Sequence, residues 1–265
     1  MAEPAPPAGP LNLLRPLLLM AFAAAYLPPT LYTLLTTGQF RTLLDPSAVR
    51  DAWFARFWGF FGPRSRDMAA PHVTPLLQHA ARGVCLDIGP GAGEWLYLFQ
   101  RARNPHVRKI YGIEPNREMH AALRANAARA GLDGVYEVVG CGAEELRGRE
   151  GWQAETVDTI ITVQCLCSIP TPQTVIAELY PLLKPGGRWL VFEHVKTKNE
   201  GSLVWYGQKI FGRVWPHFFN GCEIDRPTDD WLLQAGEWRE VDLRPGDGEG
   251  PYDCVPHVIG TLTKR

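Results

Sequence analysis

The sequence predicts an α/β fold: a doubly wound, mostly parallel seven-stranded sheet with helices on both faces and further N-terminal helices. From Val84 onward, short apolar runs alternate strictly with helix-like segments, which is the pattern of parallel strands joined by crossover helices. Strands such as "TIITV" are apolar at almost every position, as a sheet covered on both faces requires. The last two candidate strands, "WREVDLR" and "HVIGTLTK", are expected to form an antiparallel edge.

Length and charge limit the class of protein. The chain has 265 residues, 46% of them hydrophobic, which suits one catalytic domain with appendages. Its formal net charge is −1 and it has no basic run that could follow a phosphate backbone, so we expect no nucleic-acid partner and a monomer. Six cysteines without CxxC pairs or His/Cys metal spacing indicate the reduced thiols of an intracellular protein and predict no metal site.

Residues 1–44 are expected to form a hydrophobic membrane anchor. No charged residue lies between Arg15 and Arg41, a stretch long enough to enter a hydrocarbon layer of roughly 30 Å. Pro28 and Pro29 argue against one straight helix and favour two short helices. A cleaved signal peptide and a buried lid helix remain alternatives, and the excess of arginine after the segment predicts that the main domain is cytoplasmic.

Residues 45–82 are expected to form a helical cap or lid. The segment reads as one or two helices separated by a break at Gly62 and Pro63. It is crowded with aromatic side chains, which pack in a core or cover a pocket at the membrane interface: Trp53, Phe54, Phe57, Trp58, Phe60 and Phe61.

The third segment, residues 83–265, carries the alternating elements. Strand "VCLDIG" is followed by the helical "EWLYLFQRA", strand "KIYGIEP", and a helix with Asn116 as N-cap and Gly131 as its stop. Then come strands "VYEVVGC" and "TVDTIITVQ", a helix from Thr171 and Pro172, and strand "RWLVFEHV". An aromatic insert follows at about residues 200–225.

The turn after the first strand holds Gly89, Gly91 and Gly93, preceded by Asp87. Glycines in such a turn let backbone amides approach a ligand closely. A dinucleotide fingerprint needs a further glycine where this chain has Glu94, and an acidic side chain is a poor neighbour for a pyrophosphate. An NAD-dependent oxidoreductase is therefore a weaker alternative.

Glu114 ends the second strand, where a carboxylate can accept hydrogen bonds from both hydroxyls of a ribose. A ribose without a pyrophosphate beside it points to S-adenosylmethionine. Two alternatives remain: strand-end carboxylates that are merely solvated, and a protein of this fold that binds the cofactor without catalysis.

The motifs "LDIGPGAG", "YGIEPN", "VVGCGAEEL" and "LYPLLKPGGRWLVFEH" resemble, in this order, those of class I S-adenosylmethionine-dependent methyltransferases. The resemblance implies a Rossmann-like methyltransferase domain over residues 83–265. It also implies a set of cofactor-binding residues: Asp87, Gly89, Gly91, Gly93, Glu114, Pro115, Ala143, Glu144 and Gln164. Gly142 departs from the pattern, which usually has Asp before "AEEL", so the adenine contact passes to Glu144 or to backbone amides.

Further motifs, including "FGRVWPHFFNGCEIDRPT" and "PHVIGTLTK", resemble the membrane-associated methyltransferase-like thiol S-methyltransferases. The resemblance covers Val84 to Lys264. It implies methyl transfer to a small lipophilic thiol, at the cytoplasmic face of the endoplasmic reticulum or a lipid droplet. O-methylation of a phenol or hydroxyl is the alternative.

A thiol is already partly ionised at neutral pH, so a weak base suffices to activate it. His194 and His217 are the two predicted catalytic residues, because neutral imidazole is populated at pH 7. The predicted substrate pocket consists of Cys165, Cys167, Trp205, Trp215 and Cys222.

Overall fold

The computed structural model describes residues 9–148 and 151–265, so the first eight residues of the predicted anchor lie outside it. Four helices precede the sheet: α1 (Arg15–Ala24), α2 (Leu27–Thr36), α3 (Phe40–Leu43) and α4 (Pro46–Ala80). The strands are β1 (Gly83–Ile88), β2 (Val107–Ile113), β3 (Tyr136–Val139), β4 (Val157–Val163), β5 (Leu183–His194), β6 (Trp238–Pro245) and β7 (His257–Lys264). The remaining helices are α5 (His120–Arg129), α6 (Pro172–Leu179), α7 (Leu203–Phe211), α8 (Trp215–Phe218) and α9 (Thr228–Gln234).

The seven strands form one sheet in the order β3-β2-β1-β4-β5-β7-β6. The first five in this order are parallel, and β7 runs antiparallel to both β5 and β6. The predicted mostly parallel sheet with an antiparallel edge is therefore confirmed. Strand order reverses between β1 and β4, and in such sheets ligands bind beyond the carboxyl ends of these strands.

Each face of the sheet has its own apolar core. On one face, α4 and α5 contribute Val73, Leu77 and Leu123 to a cluster with Ile110 and Leu190 of the strands. On the other face, α6 and α9 contribute buried residues that pack on Leu86, Ile160 and Val191: Val175, Ile176, Leu179 and Leu232. Coverage on both faces explains the unbroken apolar strands.

Helix α4 corrects the predicted break, because it runs without interruption through Pro63, Pro71 and Pro75. All three prolines are solvent-exposed, so water can reach the carbonyls that lose an amide partner. The opposite face is buried at helical spacing: Phe57, Ser65, Ala69, Val73 and Leu77. Packing of that face outweighs the local cost of the prolines.

The predicted helix "EWLYLFQRA" is wrong, since the segment forms only a short 3-10 turn at Leu96–Phe99. Leu96, Leu98 and Phe99 are all buried, which leaves this segment without the polar face of an amphipathic helix. Helix α4 packs against the turn and supplies cover for this part of the sheet.

The N-terminal segment divides into α1 and α2 at Ala25 and Tyr26, slightly before the proline pair. Pro28 and Pro29 fall in the first turn of α2, where a missing amide hydrogen costs nothing. Among the described residues, Pro10–Thr36 is 27 residues long, contains an 18-residue window with a mean hydropathy of 1.5, and is apolar enough by composition to cross a bilayer. Only 22% of that window is buried, and several large apolar side chains of the stretch are exposed: Leu11, Leu17, Leu18, Tyr32 and Leu35.

Candidate active site

A cavity of about 490 Å³ lies beyond the carboxyl ends of β1, β2, β4 and β5. Its floor is the glycine loop and the strand ends, and α1, α4 and α8 contribute walls. Three carboxylates, Asp87, Glu94 and Glu114, line one part. The other part is lined by aromatic, aliphatic and thiol side chains: Leu19, Phe54, Phe61, Trp215, Cys167 and Cys222.

The glycine loop adopts the left-handed backbone that its sequence predicts. Gly89 and Gly91 have φ of 61° and 60°. At Gly89 an added Cβ would lie 2.6 Å from the Cβ of Cys165, so no side chain fits there. The loop is tied to β2, because the Gly91 amide donates to Glu114 Oε2 at 2.9 Å and the Asn116 amide donates to Oε1 at 2.8 Å.

Asp87 lies at the end of β1 and accepts a hydrogen bond of 3.0 Å from the hydroxyl of Tyr136. Burial raises the pKa of Asp87 to about 7, and burial likewise raises the pKa of Glu114 to about 7. Burial also raises the pKa of Glu94. A cationic ligand would stabilise the ionised forms of these acids, whereas a pyrophosphate would be repelled by them.

All nine predicted cofactor residues line this cavity: Asp87, Gly89, Gly91, Gly93, Glu114, Pro115, Ala143, Glu144 and Gln164. The departure at Gly142 has a structural counterpart, since its amide donates to Glu145 Oε1 at 2.9 Å. The carboxylate of Glu144 occupies the space where a side chain at this position would begin. The chain therefore presents Glu144 where the family pattern has Asp.

The predicted substrate residues divide into two groups. Cys165, Cys167, Trp215 and Cys222 line the cavity, but Trp205 does not. Trp205 lies on α7 beside Tyr206, with the ammonium of Lys209 5.2 Å from its ring centroid. The face of α7 that turns inward is instead formed by Val204, Gly207 and Gln208.

The two predicted catalytic histidines are also separated. His194 ends β5 on the cavity, with its Nδ1 3.5 Å from Cys222 Sγ. His217 is solvent-exposed and lies outside the cavity lining, so the structure gives it no contact with a bound substrate. On α8 it points away from the buried Trp215 two positions earlier.

Sequence reasoning missed a chain of polar side chains beside His194, whose members also line the cavity. The amide nitrogen of Gln164 lies 3.5 Å from His194 Nε2 and 3.1 Å from His257 Nε2, and His257 Nδ1 lies 2.6 Å from Glu249 Oε1. Burial lowers the pKa of His257 well below its usual value and raises the pKa of Glu249 to about 7. The sequence carried no local signal for this chain, because only the register of β7 on β5 sets His257 opposite His194.

With this geometry in place, comparison with known proteins gives the family. Residues 63–234 match a family profile described as a methyltransferase domain. The chain belongs to this methyltransferase family. The enzyme is an S-adenosylmethionine-dependent methyltransferase, which confirms the cofactor predicted from the glycine loop and Glu114.

Several curated relatives of the methyltransferase differ in acceptor. Thiol S-methyltransferase TMT1B of Homo sapiens is 29% identical over 68% of this chain and 70% of its own length. The match to TMT1B of Rattus norvegicus, at 30% identity, spans 41% of this chain and only 44% of that protein. Phosphatidylethanolamine N-methyltransferase of Cereibacter sphaeroides is 30% identical over 69% of this chain and 82% of its own length.

Solved structures support the fold of the methyltransferase alone. An O-methyltransferase family protein from Burkholderia thailandensis matches with a TM-score of 0.58 at 18% identity, covering 91% of this chain and 71% of that one. The [4+2]-cyclase SpnF matches with a TM-score of 0.51 at 19% identity, covering 76% and 80%. A cyclase on the same fold shows that the acceptor must be argued from the site.

The cavity fits S-adenosylmethionine on physical grounds. Its glycine amides allow close approach of the amino-acid part, and Asp87 offers negative charge to the ammonium and sulfonium. Glu114 directly follows β2, where a ribose would be held. The three carboxylates disfavour the diphosphate of a dinucleotide.

Replacing Glu114 by alanine should weaken binding of S-adenosylhomocysteine by about 1.5–3 kcal/mol, the usual range for hydrogen bonds to a charged group. Isothermal calorimetry measures the change. Glu137→Ala is the matched control, because this carboxylate lies on β3 in an ion pair with Lys109 outside the cavity. An unchanged dissociation constant for Glu114→Ala would remove Glu114 from the cofactor site.

Proposed function

We propose that this methyltransferase transfers the methyl group of S-adenosylmethionine to the sulfur of a small lipophilic thiol. The observation that carries the proposal is the contact of Cys222 with both Cys167 and His194 in the wall of the cavity. The carboxylate part suits the cationic cofactor and the aromatic part suits an apolar acceptor, so the two reactants would meet beside His194. The TMT1B relatives support a thiol acceptor.

The apolar part of the cavity supports a lipophilic acceptor. Phe57 and Trp215 belong to a cluster that also contains Met20 and Ala23 of α1, and partly buried rings of α4 surround it. Phe57 stacks on Phe61 with a centroid distance of 5.1 Å, which builds a rigid apolar wall. Such a lining selects substrates by shape and desolvation more than by hydrogen bonds.

Chemistry at this site requires alignment more than strong acid or base groups. S-adenosylmethionine supplies an electrophilic methyl group on a positively charged sulfur. The chain holds the cofactor through Asp87, Glu114 and the glycine loop, and it excludes water through the aromatic wall. Alignment of this kind contributes on the order of 7–11 kcal/mol to a displacement reaction. We assign activation of the acceptor to His194.

Membrane association is the second part of the proposal. Residues 1–44 would anchor the chain, residues 45–82 would cap the site, and residues 83–265 would form the methyltransferase domain. The outward apolar side chains of α1 and α2 support contact with lipid. We propose that the enzyme lies at the cytoplasmic face of the endoplasmic reticulum or a lipid droplet.

The full chain, solubilised in detergent, tests the function with methyl-labelled cofactor and a panel of alkyl thiols and matched phenols. We expect labelled thioethers as the main product. His194→Ala should reduce turnover by about 100-fold, the lower range for a residue that activates an acceptor. His217→Ala, the matched control outside the cavity, should leave turnover unchanged. Phenyl ethers as the main product would favour the O-methyltransferase alternative and overturn the thiol proposal.

A further inference from the structure

Three potential metal ligands converge on the cavity from separate parts of the chain. Cys167 follows β4, His194 ends β5, and Cys222 lies between α8 and α9. Their ligand atoms, two Sγ and one imidazole nitrogen, all lie within 4.8 Å of one another. Cys222 Sγ lies 3.2 Å from Cys167 Sγ and 3.5 Å from His194 Nδ1. Two thiols and an imidazole are the ligands that Zn²⁺ prefers.

We propose that Cys167, His194 and Cys222 bind one Zn²⁺ ion, with the fourth coordination position open to the cavity for the sulfur of the acceptor. This inference rests on the proposed thiol methylation and gives His194 its role there as a metal ligand. Bond lengths of about 2.3 Å to sulfur and about 2.0 Å to nitrogen in a tetrahedral site set the ligand atoms about 3.5–3.8 Å apart. The two distances are close to this arrangement and need only a small outward shift of one sulfur.

The surroundings of the three residues suit a catalytic rather than a structural zinc site. All three side chains line the cavity, so a fourth ligand can enter from it. The second ring nitrogen of His194 lies 3.5 Å from the amide nitrogen of Gln164, whose side chain links it to His257. The group contains no Asp or Glu among the described residues, which leaves two thiolates to offset the charge of the ion.

A Zn²⁺ ion at this site would explain how the acceptor thiol is activated. On coordination the acceptor thiol releases its proton to water in the cavity, and the thiolate stays nucleophilic at neutral pH. Its electron pair forms the new bond to the methyl carbon, and the pair of the broken carbon–sulfur bond remains on the sulfur of the cofactor. The thioether product carries no negative charge, so it is a weaker ligand and can leave. Oxygen acceptors are harder ligands, which gives a reason for a preference for thiols.

Metal analysis tests the inference separately from turnover. The full chain, purified in detergent under reducing conditions, should contain one zinc ion, and the metal-free protein should bind one Co²⁺ with thiolate charge-transfer absorption and tetrahedral d–d bands. Cys167→Ser and Cys222→Ser should each weaken Co²⁺ binding by more than about 100-fold, since even residues behind metal ligands contribute 10- to 100-fold. Cys254→Ser, a cavity thiol outside the group, should retain the metal.

Binding of S-adenosylhomocysteine by each variant shows that it is folded. A folded wild-type chain without zinc and without cobalt bands would overturn the inference. Isolation of the chain with Cys167 and Cys222 joined as a disulfide would also overturn it. If thiols are methylated by a zinc-free enzyme, the proposed function stands and the metal site falls. If metal is bound but only phenols are methylated, the thiol proposal falls together with the assignment of the fourth position.

Discussion

Gly89→Ala should abolish detectable cofactor binding and lower the free energy of unfolding by about 2–5 kcal/mol. The left-handed backbone at this position costs a residue with a Cβ about 1–2 kcal/mol. The collision of that Cβ with Cys165 adds an overpacking cost of about 1–3 kcal/mol, because the loop after β4 must shift. The same shift moves the amides that approach the cofactor.

Gly131→Ala is the matched control, since Gly131 has φ of 66° but nothing within 4 Å of an added Cβ. Its free energy of unfolding should fall only by the conformational cost of about 1–2 kcal/mol, and its affinity for S-adenosylhomocysteine should be unchanged. Denaturant unfolding and calorimetry compare the two variants. Equal losses in both would show that the contact with Cys165 is unimportant.

Asp87→Asn should stabilise the cofactor-free enzyme at pH 8 by about 2–4 kcal/mol and weaken cofactor binding by at least about 10-fold. The pKa of Asp87 is about 7 in the folded chain and 3.8 is its usual value, so ionisation disfavours the folded state. This loss of stability is absent below the usual pKa and grows as pH rises from about 4 to about 7. The neutral amide removes it and can still accept the hydrogen bond of Tyr136.

Urea unfolding at pH 8 and pH 5, with and without S-adenosylmethionine, measures the effect of Asp87→Asn. The gain in stability should shrink toward pH 5, and the cofactor should stabilise the variant less than the wild type. Tyr136→Phe is a useful comparison, because it removes the hydrogen bond and retains the charge. A variant that is less stable than wild type at pH 8 would show that ionised Asp87 is well accommodated without a ligand.

The strands and the cofactor loop were predictable because their signals are local. Apolar runs identify buried strands, and glycines next to Asp87 and Glu114 mark the strand ends where a ligand binds. The proline rule failed at Pro63, because its effect depends on which side of the helix faces water, and the sequence alone does not show this.

The substrate-binding residues of the cavity were harder to predict, because they depend on which side of short helices faces the cavity. Trp205 and His217 lie one and two positions after buried residues, and each step along a helix turns the side chain by about 100°, so neither residue lines the cavity. The group of Cys167, His194 and Cys222 has no recognisable spacing motif in the sequence, because its members come from three separate segments. The link between His194 and His257 needed the strand pairing.

Helix α1 has one side exposed at the protein surface and one side packed against the apolar part of the cavity. Met20 and Ala23 belong to the same apolar cluster as Phe57 and Trp215, whereas Leu17 and Leu18 on the same helix are exposed. A shortened protein starting after residue 44 would thus keep the cofactor loop and the cavity walls from α4 and α8, but it would lose the part of the wall that α1 supplies. If this shortened protein failed to methylate a lipophilic thiol, the result would not be evidence against thiol methylation by the intact enzyme.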